Sequence, residues 1–174
     1  MLSRREAGNL VLIGMPGSGK STVGVLLAKS LGLGFVDTDL LIQEQAGRTL
    51  QDIVDHDGYQ ALRRIEEQVL LALDVQGQVI STGGSAVYSD RAMTHLRSKG
   101  TVVFLDIPLE TVIVRIGDAS QRGICRHPDQ TMEALFQERF GLYTRYADLT
   151  VNGQGRNQDE VCEAVISGLN ALRT

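Results

Sequence analysis

Gly14-Met15-Pro16-Gly17-Ser18-Gly19-Lys20-Ser21 satisfies the pattern G-x-x-x-x-G-K-[ST] at every fixed position. With that spacing, a glycine-rich turn wraps a polyphosphate in backbone N–H groups. Gly17 and Gly19 let the main chain close around an anion, and the helix that follows offers unpaired N–H groups and a partial positive charge at its first turn. In this arrangement Lys20 reaches the β- and γ-phosphates and the Ser21 hydroxyl ligates Mg²⁺. Thr22, the next hydroxyl, is placed to meet the α-phosphate. The chemistry expected is that of a nucleoside triphosphate.

Three further groups of residues bear on what becomes of that triphosphate. Asp37-Thr38-Asp39 places two carboxylates one residue apart. Beside a magnesium-nucleotide site, one can hold a metal-bound water and the other can accept a proton from an attacking hydroxyl; elsewhere the same pair would be a helix N-cap and a first-turn acid. Thr82-Gly83-Gly84-Ser85 omits two side chains in a row, which suits either close approach to a ligand or a tight turn. From Arg115 to Arg156 there are six arginines and no lysine, and a planar guanidinium grips carboxylates and phosphates in bidentate fashion. Arg139 is the most informative of them. It falls on the apolar stripe formed by Met132, Leu135, Phe136 and Tyr143 in a predicted helix, so it needs an anionic partner, either an internal acid such as Asp37 or Asp39 or the carboxylate of a substrate. Arg63 carries less weight, because it could pair with Glu67 one turn away on an exposed face.

The elements that must position these groups can be read from periodicity. Asn9–Ile13 is an apolar run of strand length, followed by a helix from Lys20 to Leu31 whose Val23, Leu27 and Leu31 recur every fourth residue, with Gly32 as its stop. Leu33–Val36, Gln78–Ser81, Thr101–Ile107 and Asp148–Asn152 read as four more strands. Between them lie a helix from about Tyr59 to Leu73, carrying Leu62, Ile65, Val69 and Leu73 inward, and one opening at Ser89 as N-cap. Val161, Val165, Ile166, Leu169 and Leu172 describe a last helix packed on the sheet. Alternating strands and helices predict an α/β fold with a parallel sheet covered on both faces, and ligands in such sheets gather beyond the carboxyl ends of the strands. The segment 117–123, small, polar and glycine-bounded, is the expected mobile loop.

Composition narrows the class. A chain of 174 residues with 43% apolar content fits one domain better than two. A net charge of −4 argues against a broad nucleic-acid surface. No apolar run approaches the 18 residues of a membrane span and no signal core precedes the first strand, so a cytoplasmic protein without membrane partners is expected. Cys125 and Cys162 fit a reducing compartment, with Cys125 on a loop as an inert thiol. The three histidines are isolated, which argues against zinc.

Taken in order, these motifs resemble the shikimate kinase family along nearly the whole chain. The phosphate loop is Gly14 to Thr22, the D-[ST]-D motif Asp37-Thr38-Asp39, and the G-R-[ST] turn Gly47-Arg48-Thr49; the paired arginines stand as Leu62-Arg63-Arg64-Ile65-Glu66-Glu67, the glycine turn as Gly83-Gly84-Ser85, the lid arginine as Arg122 and the R-x-x-x-Y helix as Arg139 to Tyr143. The resemblance implies a single kinase domain over 1–174, built as a P-loop three-layer fold on a five-stranded parallel sheet of order 2-3-1-4-5, with an acceptor-binding region at about 37–64 and a lid at about 117–129. It implies ATP held by Gly17, Ser18, Gly19, Lys20, Ser21 and Thr22, with Arg122 closing on the phosphates and Arg156 near the adenine. Mg²⁺ would be held by Ser21 and, through water, Asp37. The anionic acceptor would be held by Asp39, Arg63, Gly83, Gly84 and Arg139, and catalysis would rest on Lys20, Asp39 and Arg122. The enzyme is expected to work as a monomer.

Two departures from the family pattern bear on the acceptor. Ser85 stands for the third glycine of the turn, adding a Cβ and a hydroxyl where the family leaves room. The lid reads Arg122-Gly123-Ile124-Cys125-Arg126, without the usual proline and with a second arginine, Arg126. The expected reaction is in-line transfer of the γ-phosphoryl group from MgATP to a hydroxyl, with shikimate as acceptor. The alternatives are another small hydroxy acid or hydroxy amino acid such as homoserine, or a nucleotide-binding module that does not turn over.

Overall fold

A computed structural model describes residues 8–117 and 123–174. The first strand, β1 (Asn9–Ile13), is buried along its whole length, because it lies at the centre of the sheet. It is followed by α1 (Lys20–Leu31), β2 (Gly34–Asp37), α2 (Thr38–Ala46), α3 (Leu50–Asp57), α4 (Tyr59–Ala72) and β3 (Gln78–Ser81). A short 3₁₀ turn (Ala86–Tyr88), α5 (Asp90–Ser98), β4 (Gly100–Asp106), α6 (Leu109–Ile116), α7 (Met132–Tyr146), β5 (Leu149–Asn152) and α8 (Gln158–Leu172) complete the chain. All five strands run parallel in the order β2-β3-β1-β4-β5.

Alternation along β1 divides the core. Val11 and Ile13, with Ile80, Val102 and Phe104, pack against Leu70, Met93, Leu96, Leu135 and Tyr143 from α4, α5 and α7 on one face. Leu10 and Leu12, with Val79, Val103 and Leu105, pack against Val23 and Leu27 of α1 and Val161, Val165 and Leu169 of α8 on the other. A sheet with two apolar faces must be covered twice, and this makes three layers. A smaller cluster of Ile42, Ile53, Leu62, Val69 and Cys125 ties α2, α3 and α4 together beside the sheet. Among the described residues, no helix is long and apolar enough to cross a membrane.

Several element edges differ from the sequence reading for local reasons. The second strand starts at Gly34 rather than Leu33, because the Leu33 amide is spent on Ala28 O in the turn after the Gly32 cap. It extends to Asp37, which is paired with Ser81. The fourth strand starts at Gly100, opposite Asn9, and ends before Ile107. In α1 the expected stripe holds for Val23 and Leu27 but not for Leu31, which is exposed; Gly24 and Ala28 are buried instead. A strict four-residue spacing gains about 40° per step on a 3.6-residue turn, so the third member has rotated off the buried face. Leu172 is likewise exposed at the end of α8. Ser89 caps α5 as expected, its hydroxyl accepting from the Ala92 amide at 3.1 Å.

Candidate active site

Register brings the loops of the site together. Leu12 is level with Ser81, and Ser81 with Asp37, so the chain leaves β1, β2 and β3 at one edge and enters the glycine loop, the Asp37-Thr38-Asp39 corner and the Thr82–Ser85 turn side by side. Thr82 fixes one junction by donating its amide and its hydroxyl to Leu12 O at 3.2 and 2.8 Å. Thr38 fixes another, with its buried hydroxyl 3.3 Å from Ser81 O.

The glycine loop turns into α1 through Gly17 (φ 76°) and Gly19 (φ 95°), a left-handed backbone that side chains disfavour. No side chain caps α1, so its first N–H groups face the cavity. Lys20 is buried and folds back on the loop, donating to Gly14 O and Met15 O, both at 2.8 Å. Burial lowers its pKa to about 8, with the Asp39 carboxylate acting in the opposite direction and Arg139 reinforcing the fall.

Asp37 takes the N-cap place that its sequence context allowed. As the N-cap of α2 it accepts from the Asp39 amide at 3.0 Å, and its other oxygen accepts from Ser21 Oγ at 3.0 Å. Two hard oxygen donors at this distance, one on Ser21, the residue after the loop lysine, and one on Asp37, suit a divalent cation such as Mg²⁺. Asp39 is pushed up to about 6, chiefly by burial and then by the Asp37 charge, against the pull of Lys20.

Gly83 and Gly84 serve close approach rather than turn geometry, since neither has a positive φ. A Cβ at Gly83 would lie 2.5 Å from Glu66 Oε2 and 2.7 Å from Asp39 Oδ1, and one at Gly84 would lie 2.6 Å from Arg139 Nη1. Two acids and a guanidinium thus press on a turn with no side chains, and Tyr143 Oη donates to Gly84 O at 2.7 Å to hold it there.

Arg139 is 1% exposed. Its Nη2 donates to Cys125 O at 2.5 Å and its Nε to Tyr88 Oη at 3.4 Å. Among the described residues no acid forms an ion pair with it, so neither Asp37 nor Asp39 is the internal partner considered above. The hydrogen bonds satisfy part of the guanidinium while its charge stays unneutralised, an arrangement that favours an incoming anion.

One cavity of about 750 Å³ gathers most of the expected residues: Gly17, Gly19, Lys20, Ser21, Thr22, Asp39, Gly83, Gly84 and Arg139 all line it. Ser18 lies just behind it, with its hydroxyl 3.4 Å from Lys20 Nζ, and Asp37 is reached through Ser21. Arg63 is not in the wall. Its guanidinium lies over the Tyr88 ring, 3.7 Å from the centroid, and 5.0 Å from that of Tyr59. Arg156 is exposed and also outside the wall, although Gln158, two residues on, is in it. Arg122 and most of the expected mobile loop lie outside the described residues.

Beyond that gap, Gly123 (φ 58°) donates its amide to Gln51 Oε1 at 2.7 Å, and a Cβ there would lie 2.6 Å from Leu50 Cβ. This backbone, packed on α3, excludes the proline-like geometry of the usual lid. Arg126 does not reach the cavity wall. The Cys125 thiol is buried, lies 3.0 Å from Tyr59 O and is pushed up by burial.

Glu66 and Arg115, both in the wall, had no role assigned from sequence. Glu66 sat in a quoted motif, yet its depth is tertiary: it is 3% exposed and pushed up to about 7, first by burial and then, among the raising influences, by Asp39, while Ser85 Oγ donates to it at 2.5 Å and acts to lower it. Ser85 has φ −97°, ordinary for any L-residue, so its Cβ strains nothing and its hydroxyl turns to Glu66. Arg115 donates to Gly17 O at 3.2 Å; the signal available for it was its place in the last turn of the helix after the fourth strand.

Comparison with known proteins agrees with this geometry. A family model described as shikimate kinase matches residues 16–170. A shikimate kinase of Mycobacterium avium is 42% identical over 92% of this chain and 93% of its own length. Among solved structures, a shikimate kinase from Acinetobacter baumannii in complex with shikimate superposes with a TM-score of 0.89 at 27% identity, covering 97% of this chain and 96% of that one. The shikimate kinase from Aquifex aeolicus gives 0.81 at 35% identity, covering 95% and 98%.

Proposed function

The chain belongs to the shikimate kinase family, and we propose that it transfers the γ-phosphoryl group of ATP to a hydroxyl of shikimate, giving shikimate 3-phosphate. The observation that carries the choice of acceptor is Arg139, a buried cation without an acidic partner among the described residues, in the wall of the cavity that also holds the phosphate loop and Asp39. It suits a small hydroxy acid whose carboxylate meets Arg139 while its hydroxyl faces Asp39. The relative from Acinetobacter baumannii was solved with shikimate itself.

In this reading the loop from Gly17 to Thr22 binds the triphosphate through backbone N–H groups, and Lys20 leaves the carbonyls of Gly14 and Met15 to neutralise charge on the β- and γ-phosphates. Ser21 and Asp37 would hold Mg²⁺, which would supply positive charge to the phosphates. Asp39 orients the acceptor hydroxyl and takes its proton as the oxygen attacks phosphorus in line with the departing ADP. Gly83 and Gly84 let the acceptor lie against backbone, and Arg139 holds its carboxylate. Arg63 completes that grip, Arg122 closes over the phosphates and Arg156 lies toward the adenine. The whole span 1–174 acts as one kinase domain.

Measuring ADP release from MgATP with shikimate, homoserine, gluconate and AMP supplied in turn tests the assignment. Stimulation by shikimate alone is expected. Stimulation by another acceptor would move the substrate, and ATP binding without stimulation by any of them would make the chain a nucleotide-binding module.

A further inference from the structure

Tyr88 ends the 3₁₀ turn that follows Gly83-Gly84-Ser85, wedged between α4 and α7 and half-buried. It touches both guanidinium groups assigned to the acceptor, in different ways. The face of its ring carries Arg63, 3.7 Å from Cζ to centroid, with Tyr59 at 5.0 Å as a second aromatic surface. Its hydroxyl accepts from Arg139 Nε at 3.4 Å and donates to Glu138 Oε1 at 2.5 Å. A guanidinium stacked on an aromatic face keeps its N–H edge free for an anion. Arg63 has no ion pair among the described residues, and its Nε is buried without a hydrogen-bond partner.

Arg63 faces a depression lined by Glu66, Glu67, Ser85 and Tyr88 that shares Glu66 and Ser85 with the central cavity. Without an aromatic surface at position 88, the long Arg63 side chain would keep the rotamer freedom that an exposed arginine has, and anchoring a carboxylate would require that freedom to be lost on binding.

We propose that Tyr88 is a positioning residue for acceptor recognition, its ring fixing Arg63 and its hydroxyl fixing Arg139 so that two guanidinium groups converge on one carboxylate. The proposal rests on the acceptor reading given above. Tyr88 does not line the central cavity, so its effect is expected to fall on acceptor binding through the two arginines.

Steady-state kinetics of Tyr88→Leu and Tyr88→Phe test it, using shikimate and its carboxamide as paired acceptors. Leucine keeps bulk and removes the aromatic face; phenylalanine keeps the face and removes the hydroxyl. The KM for shikimate is expected to rise about tenfold in Tyr88→Leu, the scale of one desolvated cation–π contact, with the KM for ATP unchanged. Tyr88→Phe should recover most of that rise. The preference of the enzyme for shikimate over the carboxamide should shrink in parallel, because what is lost acts on the carboxylate. An unchanged preference, an equal rise in both KM values, or a fall in the KM for shikimate, which would mean that the ring withholds Arg63, overturns the proposal. Failure of the wild-type enzyme to respond to shikimate at all would instead overturn the acceptor assignment.

Discussion

Ser21 Oγ donates to Asp37 Oδ2 across 3.0 Å, joining the first turn of α1 to the carboxyl end of β2. Ser81 Oγ lies 3.4 Å from the same hydroxyl, so two strands and a helix converge on one small polar point. Its oxygen chemistry suits a magnesium ion, whose affinity depends on carboxylate charge. Replacing Asp37 with Asn keeps the size and the cap while removing the charge. The Mg²⁺ concentration giving half-maximal rate is expected to rise at least about tenfold. A metal titration that superposes on the wild-type curve would show that Asp37 only caps α2.

Lys20 is already buried at the loop, held by the backbone carbonyls that it leaves to serve the transferring phosphoryl group. Positioned charges of this kind contribute about 3 to 4 kcal/mol to the transition state, and Lys20→Ala is expected to lower kcat by at least about 10²-fold. Rapid-quench measurement of the phosphoryl-transfer step checks this directly, and a rate near that of the wild type would remove Lys20 from the role.

Asp39 must be ionised to accept a proton, and burial together with Asp37 raises it to about 6, while its neighbour Glu66 stands at about 7. The two acids lie beside the same glycine, and the Asp39 charge is one of the influences that raise Glu66. The kcat/KM profile for shikimate, which reports the free enzyme, is therefore expected to fall on the acid side as pH drops through about 6. Asp39→Asn should lower kcat by at least about 10²-fold and remove that limb; a limb that persists unchanged would belong to another group.

Glu66 has a second consequence, for stability. Its folded pKa of about 7 lies above its ordinary value of 4.5, so folding favours the protonated form. Below pH 4.5 both states are protonated and ionisation costs nothing; as pH rises through 7 the folded protein bears the full cost of a buried charge. Glu66→Gln removes that cost while still accepting from Ser85. The variant is expected to gain about 2 to 3 kcal/mol over the wild type at pH 8 and nothing at pH 4. Urea denaturation at the two pH values measures the difference, and a gain equal at both would point to packing instead.

Arg139 carries the acceptor reading. Arg139→Ala is expected to raise the KM for shikimate at least about tenfold, with the KM for ATP nearly constant. Arg139→Lys should not restore it, because an ammonium cannot reproduce the planar fork. A fixed KM accompanied by a lower melting temperature would make Arg139 a structural ion, held by Cys125 O and Tyr88 for the sake of the fold alone.

The sequence by itself determined the class of chemistry and the architecture. Glycines and a lysine at fixed spacing have one well-understood use between a strand and a helix, and five apolar runs alternating with amphipathic segments leave little besides a parallel sheet covered twice. These are local properties, carried by backbone preference and by the periods of helix and strand. Arg139 was legible for the same reason, since a charge on an apolar stripe conflicts with its surroundings wherever the helix packs.

The tertiary structure alone decided which charges meet. Glu66 looked like one acid among several on α4, and it acquired its raised pKa only because the fold buries it and brings Asp39 near, against the opposing hydrogen bond from Ser85. Ser85 suggested a crowded pocket, yet an ordinary φ and a carboxylate partner turn its hydroxyl away from strain. Arg63 was expected in the cavity wall and lies instead over Tyr88, a residue 25 positions along the chain that no spacing rule connects to it. Electrostatic interaction and desolvation depend on distances between elements far apart in sequence, and periodicity within a single element carries no information about those distances.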